Sequence, residues 1–184
     1  MTSSLSLCLA FACALSASLA RADDTPASLA PLLGNIAERL DIAEQVALSK
    51  WDSHKAVEDR PREQQVIAAA TAQAASHGLD EATVEQFFAA QIEANKLVQY
   101  ARLSAWNLQG RAPDTPRQDL AGQIRPQLDQ LQKRLLQQLA SFAPQRSDPH
   151  CPQWLARANQ ASAGEPLRQL AMIRATAELC VFKG

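Results

Sequence analysis

The 184-residue chain has few of the residues that build sheets: aromatic side chains make up 5% of it, with a single Tyr, and Gly occurs only six times. A pleated surface is packed by ring and branched side chains, so this scarcity disfavours an all-β chain. Charge of one sign is lacking too. The 18 Lys and Arg stand against 19 Asp and Glu with no basic block, whereas a nucleic acid is held through its phosphates by a concentrated cationic surface, which argues against such a partner. His54, His77 and His150 have no metal-ligand spacing, and neither a nucleophile elbow nor a phosphate-cradling Gly loop occurs. What is plentiful is Ala, Gln and Leu, all good helix formers. Apolar residues reach 47%, enough to bury a core in one domain or two small ones.

Long hydrophobic runs are absent except at the start, where Leu5 to Leu19 are apolar or small and lead through Ala20-Arg21-Ala22 into Asp23-Asp24. Ala20 and Ala22 occupy the small positions that a signal peptidase needs, so residues 1–22 read as a removed secretory signal and 23–184 as the mature domain. The run is too short to cross about 30 Å of hydrocarbon, so no membrane anchor is expected in the mature form. Removal takes away Arg21, Cys8 and Cys13, leaving 17 basic residues, 19 acidic ones and the pair Cys151 and Cys180. In an oxidising periplasmic or extracellular space an isolated pair is most simply a disulfide, worth roughly 3–4 kcal/mol for a loop of about 30 residues in the chain-entropy view.

Leu29, Leu32, Leu33, Ile36, Leu40, Ala43 and Ala47 recur at helical spacing and predict one long helix from about Pro26 to Ser53. Pro61, behind Asp59 or Arg60 as cap, starts a second helix that ends at His77-Gly78. Asp80 caps a third, which carries Val84, Phe87, Phe88 and Trp106; Asn107 to Arg117 reads as a linker. Leu128, Leu131, Leu135, Leu136 and Leu139 mark a fourth helix, kinked or begun at Pro126. Two shorter ones follow, about Gln153–Ala161 and Glu165–Phe182. The expectation is a single all-α bundle of about six helices with one disulfide.

Polar residues stand where this pattern calls for apolar ones. Arg39 and Lys50 are eleven residues apart, hence within about 20° of each other at the edge of the first helix's Leu/Ile stripe. Taken alone they read as snorkelling cations at the core rim. Asn95 and Gln99 sit mid-stripe on the third helix, with Arg102 one turn on, and a core-facing amide without partners costs about 1–3 kcal/mol. They either bond to each other, cap a neighbouring helix end or line a polar cavity. The second helix opens with Asp59-Arg60-Pro61-Arg62-Glu63 at an anion-attracting N-terminus, and Arg134 interrupts the fourth helix's leucines. Four helices each offering a misplaced polar group would suit a small dianionic ligand.

Glu38-Arg39-Leu40 followed by Lys50-Trp51, then Val57 to Glu63, then Gln91 to Lys96 with Gln99 and Trp106, together resemble the AroQ-type chorismate mutases, and specifically their secreted, periplasmic gamma subclass. The resemblance spans essentially the mature chain, and Arg134 and the Cys151/Cys180 pair also match the subclass. It implies conversion of chorismate to prephenate by a Claisen rearrangement, with no cofactor, metal or covalent intermediate. It also implies that Arg39 and Arg134 clamp substrate carboxylates, that Lys50 and Gln99 donate to the ether oxygen, that Arg62 supports the carboxylate end, and that Asp59 and Glu63 receive the ring hydroxyl. Asn95 falls where the family usually has Ser or Thr. A homodimer with each site built within one chain is the implied assembly. The alternative is an exported, non-catalytic helical module that binds a small anion or a protein.

Overall fold

The first helix, α1 (Leu29–Ser53), buries Leu29, Leu32, Ile36, Leu40 and Ala43 along one face. That stripe meets Val84, Phe87 and Phe88 of α3 (Glu81–Gln109) and Leu131, Leu135, Leu136, Leu139 and Phe142 of α4 (Arg125–Phe142) in one continuous core. Each fully buried Leu or Phe contributes on the order of 1.5–3 kcal/mol relative to exposure. The helices α2 (Arg60–Thr71), α5 (Cys151–Ala161) and α6 (Pro166–Thr176) complete six α-helices among the described residues. The structure, a computed structural model, describes residues 25–161 and 164–181, so the expected signal segment lies outside the described residues.

Three contacts align α1 and α3 in parallel: Asn95 bonds the Arg39 carbonyl, Arg102 pairs with Glu44, and Trp106 meets Trp51 edge-on with ring centroids 6.1 Å apart. The tryptophan pair belongs to a small second cluster with Ala47 and Leu48, which clasps the far end of α1 to α3. Helix α6 runs antiparallel to α3, held by Gln91 Nε2 on the Ala175 carbonyl at one end and Arg102 on Glu165 at the other. The Cys151–Cys180 disulfide is formed, with Cα atoms 5.8 Å apart, and ties the start of α5 to the turn after α6. Arg146 secures the same turn by donating to the Glu178 and Leu179 carbonyls.

Local chemistry sets the helix ends. Asp59 is the N-cap of α2: its Oδ1 accepts the Arg62 N–H, and Glu63 Oε1 in return accepts the Asp59 N–H at 3.1 Å, a reciprocal cap. Helix α2 stops at Thr71, earlier than the expected His77, because a turn and a short 3-10 segment, Ala75–His77, intervene before Gly78 at φ 67°. Helix α3 extends into the expected linker and ends at Gly110, where φ of 70° suits the residue without a Cβ. Helix α6 ends at Thr176 rather than near Phe182, as the chain turns to bring Cys180 to Cys151. Ahead of α4 the chain makes a π turn, Leu120–Ile124, capped by Asp119, with Ile124 fully buried as its anchor.

Candidate active site

An open cleft of about 790 Å³, its mouth included, lies between α1, α2, α3 and the start of α4. Its apolar walls are Val46, Val57, Val66, Ile92, Leu120 and Leu128. Into this space project five cations, Arg39, Lys50, Arg62, Lys96 and Arg125, against three carboxylates, Asp59, Glu63 and Asp129.

Arg39 is the most unusual of them. It is only 5% exposed, and its Nε is buried without a hydrogen-bond partner. Burial pushes its pKa down to about 10, with nearby Arg62 acting in the same sense and Asp129 opposing. This corrects the rim-cation expectation. A snorkelling Arg keeps its head in water, whereas α4 packs over α1 here and encloses the guanidinium. A buried donor left unsatisfied, as Nε is, costs about 1–3 kcal/mol.

Lys50 stands in the last turn of α1, where the helix dipole favours a cation. Its pKa is lowered first by burial and secondarily by Lys55 and Arg125, while Asp59 pulls it the other way. Asn95 and Gln99 are 7% and 6% exposed. Of the three options open for these amides, both take the last: Asn95 lines the cleft with its Nδ2 donating to the mid-helix Arg39 carbonyl at 3.2 Å, and Gln99 lines it with its Oε1 buried and unpaired. An amide presents both donor and acceptor, so Gln99 offers an uncommitted N–H to whatever enters.

From α2, Arg62 reaches across to Asp129 of α4 with Nη2 and Oδ1 3.3 Å apart. Glu63 holds the Asp59 N–H with one oxygen and Lys96 Nζ, 3.2 Å away, with the other. Among the described residues no group of three His, Cys, Asp or Glu side chains converges as metal ligands would.

Seven of the eight residues singled out in the sequence, Arg39, Lys50, Asp59, Arg62, Glu63, Asn95 and Gln99, line this one cleft. Arg134 does not. It turns to Glu38 and Asn35 of α1 on the bundle's outer side. The cation that α4 does present is Arg125, nine residues earlier, and nine residues at 100° each place the two on opposite faces of the helix. Arg102, expected to face the same cavity, is spent on Glu44 and Glu165. Arg125, Gln132, Asp129 and Lys96 were not found from sequence. The i, i+7 spacing of Arg125 and Gln132 around Leu128 was the available signal for two of them.

A sequence profile of the chorismate mutase type II family matches residues 30–100. The chain is 36% identical over 165 residues to a protein of Mycolicibacterium smegmatis named secreted chorismate mutase, covering 88% of this chain and 90% of that one. It is 35% identical over 182 residues to a protein of the same name from Mycobacterium tuberculosis, covering 96% of this chain and 90% of that one. In three dimensions it superposes on the crystal structure of chorismate mutase from Burkholderia phymatum with a TM-score of 0.79 and 45% identity, over 84% of this chain and 97% of that one. With near-complete coverage in both directions, the chain belongs to the type II chorismate mutase family.

Proposed function

We propose that the cleft is where this protein converts chorismate to prephenate. The activity itself follows from family membership; the observation that supports this location is Arg39, a buried guanidinium without a carboxylate partner, in a cavity rich in cations. The reaction is a unimolecular rearrangement of a dianion. Its needs are a hold on the compact conformer and a stabiliser for the negative charge that grows on the ether oxygen as the carbon–oxygen bond breaks.

Arg39, Arg62 and Arg125 provide the hold, since planar guanidinium forks match carboxylates. Arg125 takes the clamp role that the resemblance gave to Arg134. Lys50 and the Gln99 amide donate to the ether oxygen, the cation supplying most of the stabilisation. Asp59 and Glu63, joined by their reciprocal cap, receive the ring hydroxyl, and Asn95 adds a donor at the edge of the site. All of these come from one chain, so each site of the homodimer is self-contained. Exposed Leu97 and Tyr100 on α3, with Leu170 and Ile173 on α6, offer apolar surface for that contact. Residues 1–22 are the export signal, in keeping with relatives named secreted and with a disulfide that needs an oxidising compartment.

The pH profile tests the donor assignment. A Gln donates at any ordinary pH, so kcat/KM is flat from pH 5 to pH 8 and falls only on the alkaline side, below the ordinary lysine range, as Lys50 loses its proton. Gln99→Glu must be protonated to donate, and its activity moves toward acid. A wild-type rate falling steadily from pH 5 to pH 8, or an unchanged profile in Gln99→Glu, removes Gln99 from the ether oxygen.

A further inference from the structure

Glu63 poses a problem for any anion site. Its carboxylate faces a cleft built to receive a dianion, at 21% side-chain exposure and therefore poorly screened by water. Like charges in such a place repel strongly, because the effective dielectric is well below that of water. Yet an ionised acceptor is what a substrate hydroxyl best donates to. The site needs the acceptor without its charge.

Lys96 meets both demands. It lies on α3, one residue beyond Asn95, with its side chain 15% exposed and its ammonium 3.2 Å from Glu63 Oε2 and 2.7 Å from Glu93 Oε1. These two carboxylates raise its pKa against the opposing effect of burial, so the cation persists. The other Glu63 oxygen is pinned by the Asp59 N–H at 3.1 Å. With both oxygens anchored, from α3 on one side and from the α2 cap on the other, the carboxylate is fixed in place. Each oxygen retains a lone pair for a further donor.

We propose that Lys96 is a positioning residue for the rearrangement: it offsets part of the charge of Glu63 and orients it, so that the carboxylate can accept the substrate hydroxyl with less repulsion of the substrate's own carboxylates. The inference rests on the cleft being the chorismate site. It differs from a surface ion pair of negligible worth because both side chains are largely enclosed and both line the cleft. It also differs from direct substrate binding by Lys96, since the ammonium is already committed to two carboxylates.

The two ideas separate in a double-mutant cycle on the full mature protein with chorismate as substrate, measuring KM, kcat and thermal melting. Lys96→Met leaves Glu63 charged and loose, and raises KM about tenfold or more with kcat within about threefold of wild type; Lys96→Arg restores KM to within about threefold. Glu63→Gln costs several-fold in KM through loss of the ionised acceptor. In Glu63→Gln/Lys96→Met there is no bare charge left to compensate, so KM matches Glu63→Gln alone to within about twofold. A double variant whose KM loss is the product of the two single losses overturns the proposal, as does a Lys96→Met enzyme with wild-type KM. Equal melting temperatures across the set exclude a folding cause. Wild-type turnover that survives Lys50→Ala would instead overturn the placement of the reaction in this cleft.

Discussion

Lys50→Ala abolishes turnover while the protein keeps its helical spectrum and its cooperative melt. The expected loss in kcat is on the order of 10³-fold or more, because removing one preorganised donor to a developing oxyanion typically costs 10²–10³ and here the donor carries a full charge. No step of a pericyclic rearrangement offers a proton transfer or a nucleophile to take over. The remaining amide, Gln99, is a neutral donor and recovers only part of the effect. The fold is indifferent to the change: Lys50 is half-buried, makes no ion pair among the described residues, and sits one turn from the end of α1. The same side chain is therefore dispensable for folding and indispensable for rate. Steady-state kinetics with circular dichroism checks both halves. A variant retaining a tenth of wild-type kcat contradicts the assignment, and a variant that fails to fold shows that Lys50 supports the bundle instead.

Arg39→Met separates function from stability in the opposite direction. Methionine is close in volume to the aliphatic part of arginine, and the site it would occupy adjoins Leu40 and the buried Ile36 and Ala43. The wild-type protein keeps there a guanidinium whose Nε has no partner and whose proton is held less tightly than usual because of burial. Replacing buried charge by a well-packed apolar side chain is often neutral or stabilising by about 1–4 kcal/mol. We expect a urea midpoint at or above that of wild type, together with a fall in kcat/KM of at least about 10²-fold from loss of the buried carboxylate clamp. A destabilised Arg39→Met with undiminished turnover would mean that Arg39 serves the core and not the substrate. Stability kept in reserve at a binding site is a familiar pattern: the protein tolerates an unsatisfied group because the ligand satisfies it.

Much of this arrangement was legible in the chain. The six helices follow from the 3.6-residue recurrence of Leu, Ile, Val and Phe, and the caps at Asp59 and Asp80 follow from side chains that accept the orphaned N–H groups at a helix start. Asn95 and Gln99 stood out because they interrupt an apolar stripe, and the structure brings both to the cleft. The depth of Arg39 was not legible. Its angle placed it at the stripe edge, and only the packing of α4 on that edge turns a rim position into an enclosed one. Arg125 and Arg134 differ in kind, because the choice between them was legible: at 100° per residue Arg125 lies about 60° from the Leu128, Leu135 and Leu139 stripe of α4 and Arg134 about 120° from it, so only Arg125 borders the inward face. Lys96, at the end of the Gln91 to Lys96 segment, drew no role of its own from the sequence. The approach of α2, which brings Glu63 to it, is a tertiary event with no local signature.

The central claim, that this cleft carries out the chorismate to prephenate rearrangement, is tested most directly by purified residues 23–184 given chorismate alone, with no added metal or cofactor. The measurement follows loss of the diene absorbance and appearance of prephenate in equal amount. The account predicts saturable turnover that Lys50→Ala eliminates. A correctly folded, helical protein that binds chorismate yet forms no prephenate would contradict it.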